Sequence, residues 1–342
     1  MTAAEKVPTK AAIIGGFATI YLVWGSTYLG IRVAVETLPP FLMAGARFLV
    51  AGLLIATFLA VTRGFKTTPR QWLDSAIVGA LLLLGGNGLV SWAEQKIPSG
   101  SATRVVSLGP LFIVLLDWAV AAFGADQSRG TRPSLAIFAG VGLGITGLAV
   151  LVGPSLGLGA TQLDPWRIGG LVLACLSWSA GSLYSRYARN SAEPYTASAM
   201  QMLTGCGWLF LVSIALGEPQ HFNVAAVSGR SLFAWAYLVV AGSLVGFTTF
   251  VWLVKHSAPA RVATYAYVNP IVAVFLGWLI AREPVGPRLL VASGIIIAGV
   301  ALITAVRNRK APAQPAAAAA GQATPAEATV TARPAAIAGR DR

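Results

Sequence analysis

"TYAYVNPIVAVFLGW", Thr264 to Trp278, is apolar over most of its length, yet it carries two tyrosines, an asparagine and a proline. Earlier in the chain stands "RVVSLGPLFIVLLDW", Arg104 to Trp118, with its proline and tryptophan at the same separation. Proline has no N–H to close the usual helical bond and frees a carbonyl. Each stretch therefore reads as an apolar helix broken at a matching place, at Pro110 and at Pro270. A break written twice points to a duplicated unit, and what the unit means depends on its solvent.

Composition settles the solvent. Of the 342 residues, 56% are hydrophobic and 11% are charged, where a soluble domain carries about 25% charged. Ten stretches approach or exceed the roughly 20 apolar residues that cross a bilayer core. They lie near 11–31, 39–61, 74–94, 98–122, 133–153, 167–187, 195–216, 231–253, 259–280 and 288–306, and are called segments 1 to 10. The segments lack strand periodicity and are too long for barrel strands. The expected class is an all-α membrane protein with ten transmembrane helices.

The formal charge of +13 follows the membrane rather than a nucleic acid. With residues 1–10 in the cytoplasm, fourteen cations fall on the inner side: Lys6, Lys10, Arg63, Lys66, Arg70, Arg129, Arg132, Arg186, Arg189, Lys255, Arg261, Arg307, Arg309 and Lys310. Six fall on the outer side: Arg32, Lys96, Arg167, Arg230, Arg282 and Arg288. This obeys the positive-inside rule, so charge sets orientation and no nucleic-acid partner is expected. Cys175 and Cys206 lie inside segments and indicate neither a disulfide nor a metal site. The first apolar run reads as segment 1 rather than as a cleavable leader. Residues 307–342 read as a basic stretch and then an Ala/Pro-rich cytoplasmic tail that cannot bury a core.

Self-comparison finds the duplication. Trp24, Pro40, Phe41 and Arg47 recur 154 residues later as Trp178, Pro194, Tyr195 and Gln201. Gly86, Trp92, Pro110 and Trp118 recur 160 residues later as Gly246, Trp252, Pro270 and Trp278, and Gly142 and Gly147 recur 152 residues later as Gly294 and Gly299. The repeats are 11–153 and 167–306, joined by a linker at 154–166. Five crossings per copy is odd, so the second copy enters from the side where the first left. Two inverted five-helix repeats around a central cavity are the expected architecture, one found in many secondary transporters. Pro110 and Pro270 then fit two bent helices facing each other at that cavity, or kinks of tight packing.

The stretches "YLVWGSTYLGIRVAVETLPPFLMAGARFLVAG", "GNGLVSWAEQKIPSG" and "TYAYVNPIVAVFLGWL" resemble the drug/metabolite transporter superfamily, specifically the ten-span EamA-domain exporters. The likeness runs over both repeats. It implies both termini in the cytoplasm, a cavity between the halves with segments 4 and 9 near it, and export of amino acids or other metabolites.

Polar side chains within a bilayer turn toward other helices or water, and residues at i, i+3, i+4 and i+7 share a helix face. Stripes of this kind are Tyr21, Trp24, Thr27 and Tyr28 on segment 1, and Asn87, Ser91, Glu94 and Gln95 on segment 3. Arg104 and Ser107 serve segment 4, Trp178, Ser182 and Ser185 segment 6, Thr248, Trp252 and Lys255 segment 8, and Tyr265 and Asn269 segment 9. Trp92, Trp118, Trp252 and Trp278 stand near segment ends, where interfacial aromatics gather without any role in transport. Glycines such as Gly140 and Gly144 suit close helix contacts.

Arg47 and Arg104 sit about 10 Å inside the bilayer at about 1.5 Å per residue. With Glu94 at the same level, either could form an Arg–Glu lock or an anion site. Arg104 is assigned to the cavity here, and Arg47, which becomes Gln201 in the second copy, to packing or gating. Glu94 is the acid available for coupling to a proton gradient, and Asp117 is placed at the inner interface. No nucleotide-binding loop of the GxxxxGK(S/T) kind, HExxH motif or cofactor signature is present, so an enzyme is not expected. The readings in play are a secondary exporter of amino acids or related amphipathic solutes, a passive channel or facilitator for the same solutes, and a multidrug or cationic-amine exporter. A monomer satisfies all three. Reporter tags on either end of the chain should be shielded from an impermeant reagent in intact cells, and a tag placed at 154–166 should be labelled.

Overall fold

The computed structural model describes residues 8–123, 135–152, 164–187, 192–257, 265–282 and 285–310. Lys6, Arg129, Arg132, Arg189, Arg261, most of the 154–166 linker and the tail beyond Lys310 lie outside the described residues, as do the side chains of Pro110, Asp117 and Lys255. Among the described residues the regular elements are all helical. Segments 1 and 2 are the helices Lys10–Ala34 and Pro40–Thr62, and segment 3 is the run Pro69–Glu94. Segment 4 is split into Ser99–Val106 and Gly109–Phe123, and segment 5 is Leu135–Val152. Segments 6 and 7 are Pro165–Tyr187 and Pro194–Ala215, and segment 8 runs over 229–256. Segments 9 and 10 are Tyr265–Ala281 and Pro287–Lys310. Seven of these, segments 1 to 4 and 6 to 8, are long and apolar enough to cross a bilayer; the apolar stretches described in segments 5, 9 and 10 are shorter.

The molecule wears its apolar side chains outside. Leu22, Phe58, Leu211, Phe233, Ile271, Phe275 and Leu290 are all exposed, while Arg47, Asp74, Glu94 and Arg104 are buried. That inversion suits a hydrocarbon solvent, in which a polar group must find its partner within the protein.

Helix starts follow local chemistry. Thr68 and Gln71 form a reciprocal capping box at the head of segment 3, Thr9 and Glu193 cap segments 1 and 7, and Ser228 caps segment 8. Segment 2 begins Pro39-Pro40 and has no cap of its own. A carboxylate from elsewhere supplies it. Gly217, at φ +73°, reverses the chain after segment 7 in a conformation that favours glycine. Glu218 then accepts from the backbone N–H of Phe41 at 3.2 Å and of Leu42 at 2.8 Å, and from the Ser213 hydroxyl at 2.7 Å. A negative charge at a helix N-terminus is favourable for dipolar reasons as well.

Within the described membrane segments two stretches depart from α geometry, and they occupy matching places in the two halves. Ala80–Gly88 of segment 3 and Leu238–Phe247 of segment 8 are π-helical. Packing across the halves is reciprocal too. A methyl group on Gly147 would meet the Ile296 nitrogen at 3.1 Å and the Ala292 carbonyl at 3.2 Å; one on Gly299 would meet the Gly144 nitrogen at 3.0 Å and the Gly140 carbonyl at 2.7 Å. Segments 5 and 10 thus touch backbone to backbone, as small residues permit.

The two prolines are not equivalent breaks. Segment 4 is interrupted at Ser107 and Leu108, and Pro110 is the second residue of the helix that resumes, where a missing N–H costs no helical bond. Pro270 lies inside the Tyr265–Ala281 helix, which continues through it. Replacing Glu218 by alanine removes three hydrogen bonds around the head of segment 2 and should destabilise the protein by about 1–3 kcal/mol, read as a lower unfolding midpoint in detergent.

Candidate functional site

Trp24 of segment 1 stands at the centre of a ring cluster. Its centroid lies 4.8 Å from Phe250, 5.1 Å from Tyr265 and 6.1 Å from Trp178, the last two meeting it edge-on at 87°. Segments 1, 6, 8 and 9 each send an aromatic side chain to one point. Glycines on the π-helical turns make the room. A methyl group on Gly246 would fall 2.7 Å from the Trp24 indole nitrogen, and one on Gly86 would fall 2.8 Å from the Trp178 ring. Trp24 and Trp178 are the matching residues of the two halves, and each leans on the matching glycine of the other.

Beside this cluster is a cavity of about 120 Å³. Segment 1 contributes Trp24, Thr27 and Tyr28, segment 3 Asn87, segment 4 Ser107, segment 6 Trp178, and segment 9 Tyr265 and Asn269. The structure brings these eight sequence-selected residues together. Apolar residues close the rest, among them Ile31, Phe48, Val90, Ile113 and Phe247. Sequence reasoning passed over these because an apolar residue inside an apolar segment carries no mark of the face it takes.

Ser91, Ser182 and Thr248, assigned to the cavity from helical spacing, do not line it. Each hydroxyl donates into its own helix instead, Ser91 to the Asn87 carbonyl at 2.9 Å, Ser182 to that of Trp178 at 2.7 Å, and Thr248 to that of Leu244. Such back-bonding is how a helical serine or threonine satisfies itself without a partner. Thr27 and Ser107 do the same, to Trp24 at 2.7 Å and Arg104 at 2.6 Å, although they line the cavity.

Neither arginine takes the place expected of it. Arg104 is buried and donates through Nε to the Ser293 hydroxyl of segment 10. It borders a separate groove against Pro270, Phe275 and Trp278, because the chain breaks just beyond it. Arg47 lines the central cavity. Its Nε donates to the Ser243 hydroxyl at 2.8 Å, its Cζ lies 4.8 Å from the Phe48 ring centroid, and among the described residues no carboxylate lies within ion-pair reach. Arg47 is therefore not half of an Arg–Glu lock. Glu94 is wholly buried and stands apart from the cavity lining. Asp74, an acid at the edge of segment 3 that the stripes do not include, is buried and accepts from the Tyr184 hydroxyl at 2.8 Å.

One end of the bundle is tied by guanidinium groups that composition assigned only to a loop. Arg32 donates to the carbonyls of Glu94 at 2.6 Å and Gln95 at 2.7 Å. Arg167 donates to the Trp92 carbonyl and to Gln95 Oε1, with its Cζ 4.0 Å from the Trp92 ring centroid. Two cations thus meet the carbonyl end of segment 3, where the helix dipole is negative. Trp92 here is a clamp between segments 3 and 6. Among the described residues no cluster of His, Cys, Asp or Glu could hold a metal ion.

Known proteins share this chain's pattern over nearly its whole length. The model of the EamA-like transporter family matches residues 11–153 and again 166–305. The chain is 34% identical, over 85% of its own length and 90% of the other's, to the protein named "Uncharacterized inner membrane transporter YedA" of Escherichia coli. It is 28% identical to "Protein PecM" of Dickeya dadantii over 82% of this chain and 88% of that one, and 22% identical to "Uncharacterized transporter YoaV" of Bacillus subtilis over 86% and 97%. A crystal structure superposes with a TM-score of 0.60 at 22% identity, covering 89% of this chain and 100% of that one, which speaks for the fold. The chain belongs to the EamA-like transporter family and is a multi-pass membrane transporter, not an enzyme.

Alanine at Gly86 or Gly246 has to displace a tryptophan from the cluster and should destabilise the protein by about 1–3 kcal/mol. Alanine at Gly169, where nothing stands within 4 Å, should leave the unfolding midpoint in detergent unchanged.

Proposed function

We propose that this EamA-like transporter is a secondary exporter of small metabolites, amino acids or related amphipathic compounds, working by alternating access across the inner membrane with both termini in the cytoplasm. Its two halves act as inverted repeats about an axis through the cavity. The observation that carries the reading is the reciprocity of the contacts between halves. Gly147 meets 292 and 296 as Gly299 meets 140 and 144, and Trp24 leans on Gly246 as Trp178 leans on Gly86. Pairs related in this way are what a two-fold relation produces. A two-fold between inverted halves gives the two membrane faces equivalent structures, so a central cavity can open to either by rocking.

The cavity's character supports small cargo. Its volume of about 120 Å³ is below the ~300 Å³ at which sites for drug-sized molecules begin. Its aromatic wall suits a body with apolar area. The guanidinium ties at the Arg32 and Arg167 end support a closed gate there, and the reading makes that the outer gate. On this reading the chain draws on a solute or proton gradient, and the acid assigned to proton coupling is Glu94, buried beyond the cavity lining.

Reconstitution into liposomes tests this. Saturable uptake of labelled amino acids, accelerated by an imposed gradient, is the expected result. Absence of saturable flux for every amino acid, amine and small aromatic tried would sink the exporter reading. Rapid flux that never saturates would replace it with a facilitator.

A further inference from the structure

Segment 2 carries into the middle of the bundle a cation that the fold does not require, since the matching position of the second half is Gln201. Arg47 is only 5% exposed. Its Nε is committed to Ser243, so Nη1 and Nη2 are the donors left for the cavity it lines. The site is built around this group. A methyl group on Gly242 would fall 2.7 Å from Nη2, so the glycine makes space for the guanidinium, and Phe48 lies against it. A buried guanidinium without a carboxylate is unfavourable unless something neutralises it. The described acids are placed elsewhere: Asp74 with Tyr184 and Arg70, Glu36 near Arg230, Glu218 at the head of segment 2, Asp164 and Glu193 at the heads of segments 6 and 7, and Glu94 buried outside the cavity lining.

Among the described residues lining the cavity, Arg47 is the one that carries a charge. The other polar groups complement an anion attached to a compact body. Asn269 is 3% exposed and its Oδ1 has no hydrogen-bond partner among the described residues, so it stands ready for a donor such as an ammonium or hydroxyl. The Asn87 amide also faces this space, and Trp24, Trp178 and Tyr265 supply ring surface. Two parallel N–H donors match a carboxylate or a phosphate. A phosphate monoester would bring about two negative charges to a single cation, which leaves a carboxylate as the balanced choice.

We propose that Arg47 is the anion-docking residue of the central cavity, and that the cargo is a compact organic anion or zwitterion bearing a carboxylate rather than a cationic amine. This rests on the cavity being the transport path. It also separates the candidate cargoes by charge, since a lone amine would meet an uncompensated guanidinium.

Four probes that share a phenyl ring and differ in charge make the test: phenylacetate, phenylalanine, phenethylamine and phenethyl alcohol. Thermal stabilisation of the full-length protein in detergent reads binding, and counterflow in proteoliposomes reads transport. Phenylacetate and phenylalanine should bind at least about tenfold tighter than the amine and the alcohol, a difference of about 1.4 kcal/mol. Arg47→Gln, the residue that the second half already carries, should abolish that preference while the ligand-free melting point stays near that of the parent. Arg47→Lys should keep part of the preference. Stronger binding of the amine, an unchanged preference in Arg47→Gln, or no response to any probe overturns the assignment. Carboxylate binding that depends on Arg47 without counterflow leaves the docking residue standing and removes the transport reading. Saturable flux indifferent to Arg47 does the reverse.

Discussion

Hydrocarbon offers no hydrogen bonds, and most of the structure can be traced to that one property of the solvent. Every polar group that enters the bilayer must be answered by the protein itself. Ser26, Thr27, Ser91, Thr103, Ser107, Ser179, Ser182 and Thr248 all donate to a carbonyl three or four residues back in their own helix. The head of segment 2, which has no cap in its own sequence, borrows a carboxylate from residue 218. Leucines and phenylalanines, which would form the core of a soluble domain, are turned outward. What remains inside for recognition is therefore small in number: a guanidinium, two amides, and rings.

The same constraint explains why the halves are held by close fit. Burying apolar surface between helices gains little when the alternative solvent is equally apolar. Attraction has to come from atoms in direct contact, and glycine brings backbones nearest. The pairing of segment 5 with segment 10 through Gly140, Gly144, Gly147 and Gly299 is of this kind, as are the glycines that seat Trp24 and Trp178. Relaxing those positions to larger residues would lose the contact and gain nothing from the lipid.

Much of this is legible in the sequence because it is dictated by solvent and symmetry. Long apolar segments, the bias of lysine and arginine and the matched Trp, Gly and Pro positions come from membrane insertion and duplication, and the family match agrees with the resemblance. The site was less legible, for geometric reasons. A stripe drawn with α-helical spacing from Asn87 through Ser91 assumes 3.6 residues per turn, but Ala80–Gly88 is π-helical and rotates the residues beyond it. Asn87 therefore faces the cavity while Ser91 does not. Thr248 fails for the same reason just beyond Leu238–Phe247. Arg104 could not be told from Arg47 by depth alone. The interruption at Ser107 and Leu108 sends the first toward Ser293, and nothing in the local sequence names that neighbour.

The backbone seam between segments 5 and 10 has a mechanical corollary. A second seam of this kind joins segments 3 and 7, where a methyl group on Gly79 would meet the Gln201 carbonyl and the Gly205 nitrogen, each at 2.9 Å. At Gly147 and Gly299 main chain likewise stands close to main chain, with Ile296 Cγ1 and Leu143 Cβ sharing the contact. A rocking motion of the kind proposed for the transport cycle would pivot at these seams, since main chain, unlike a side chain, has no rotamer to change.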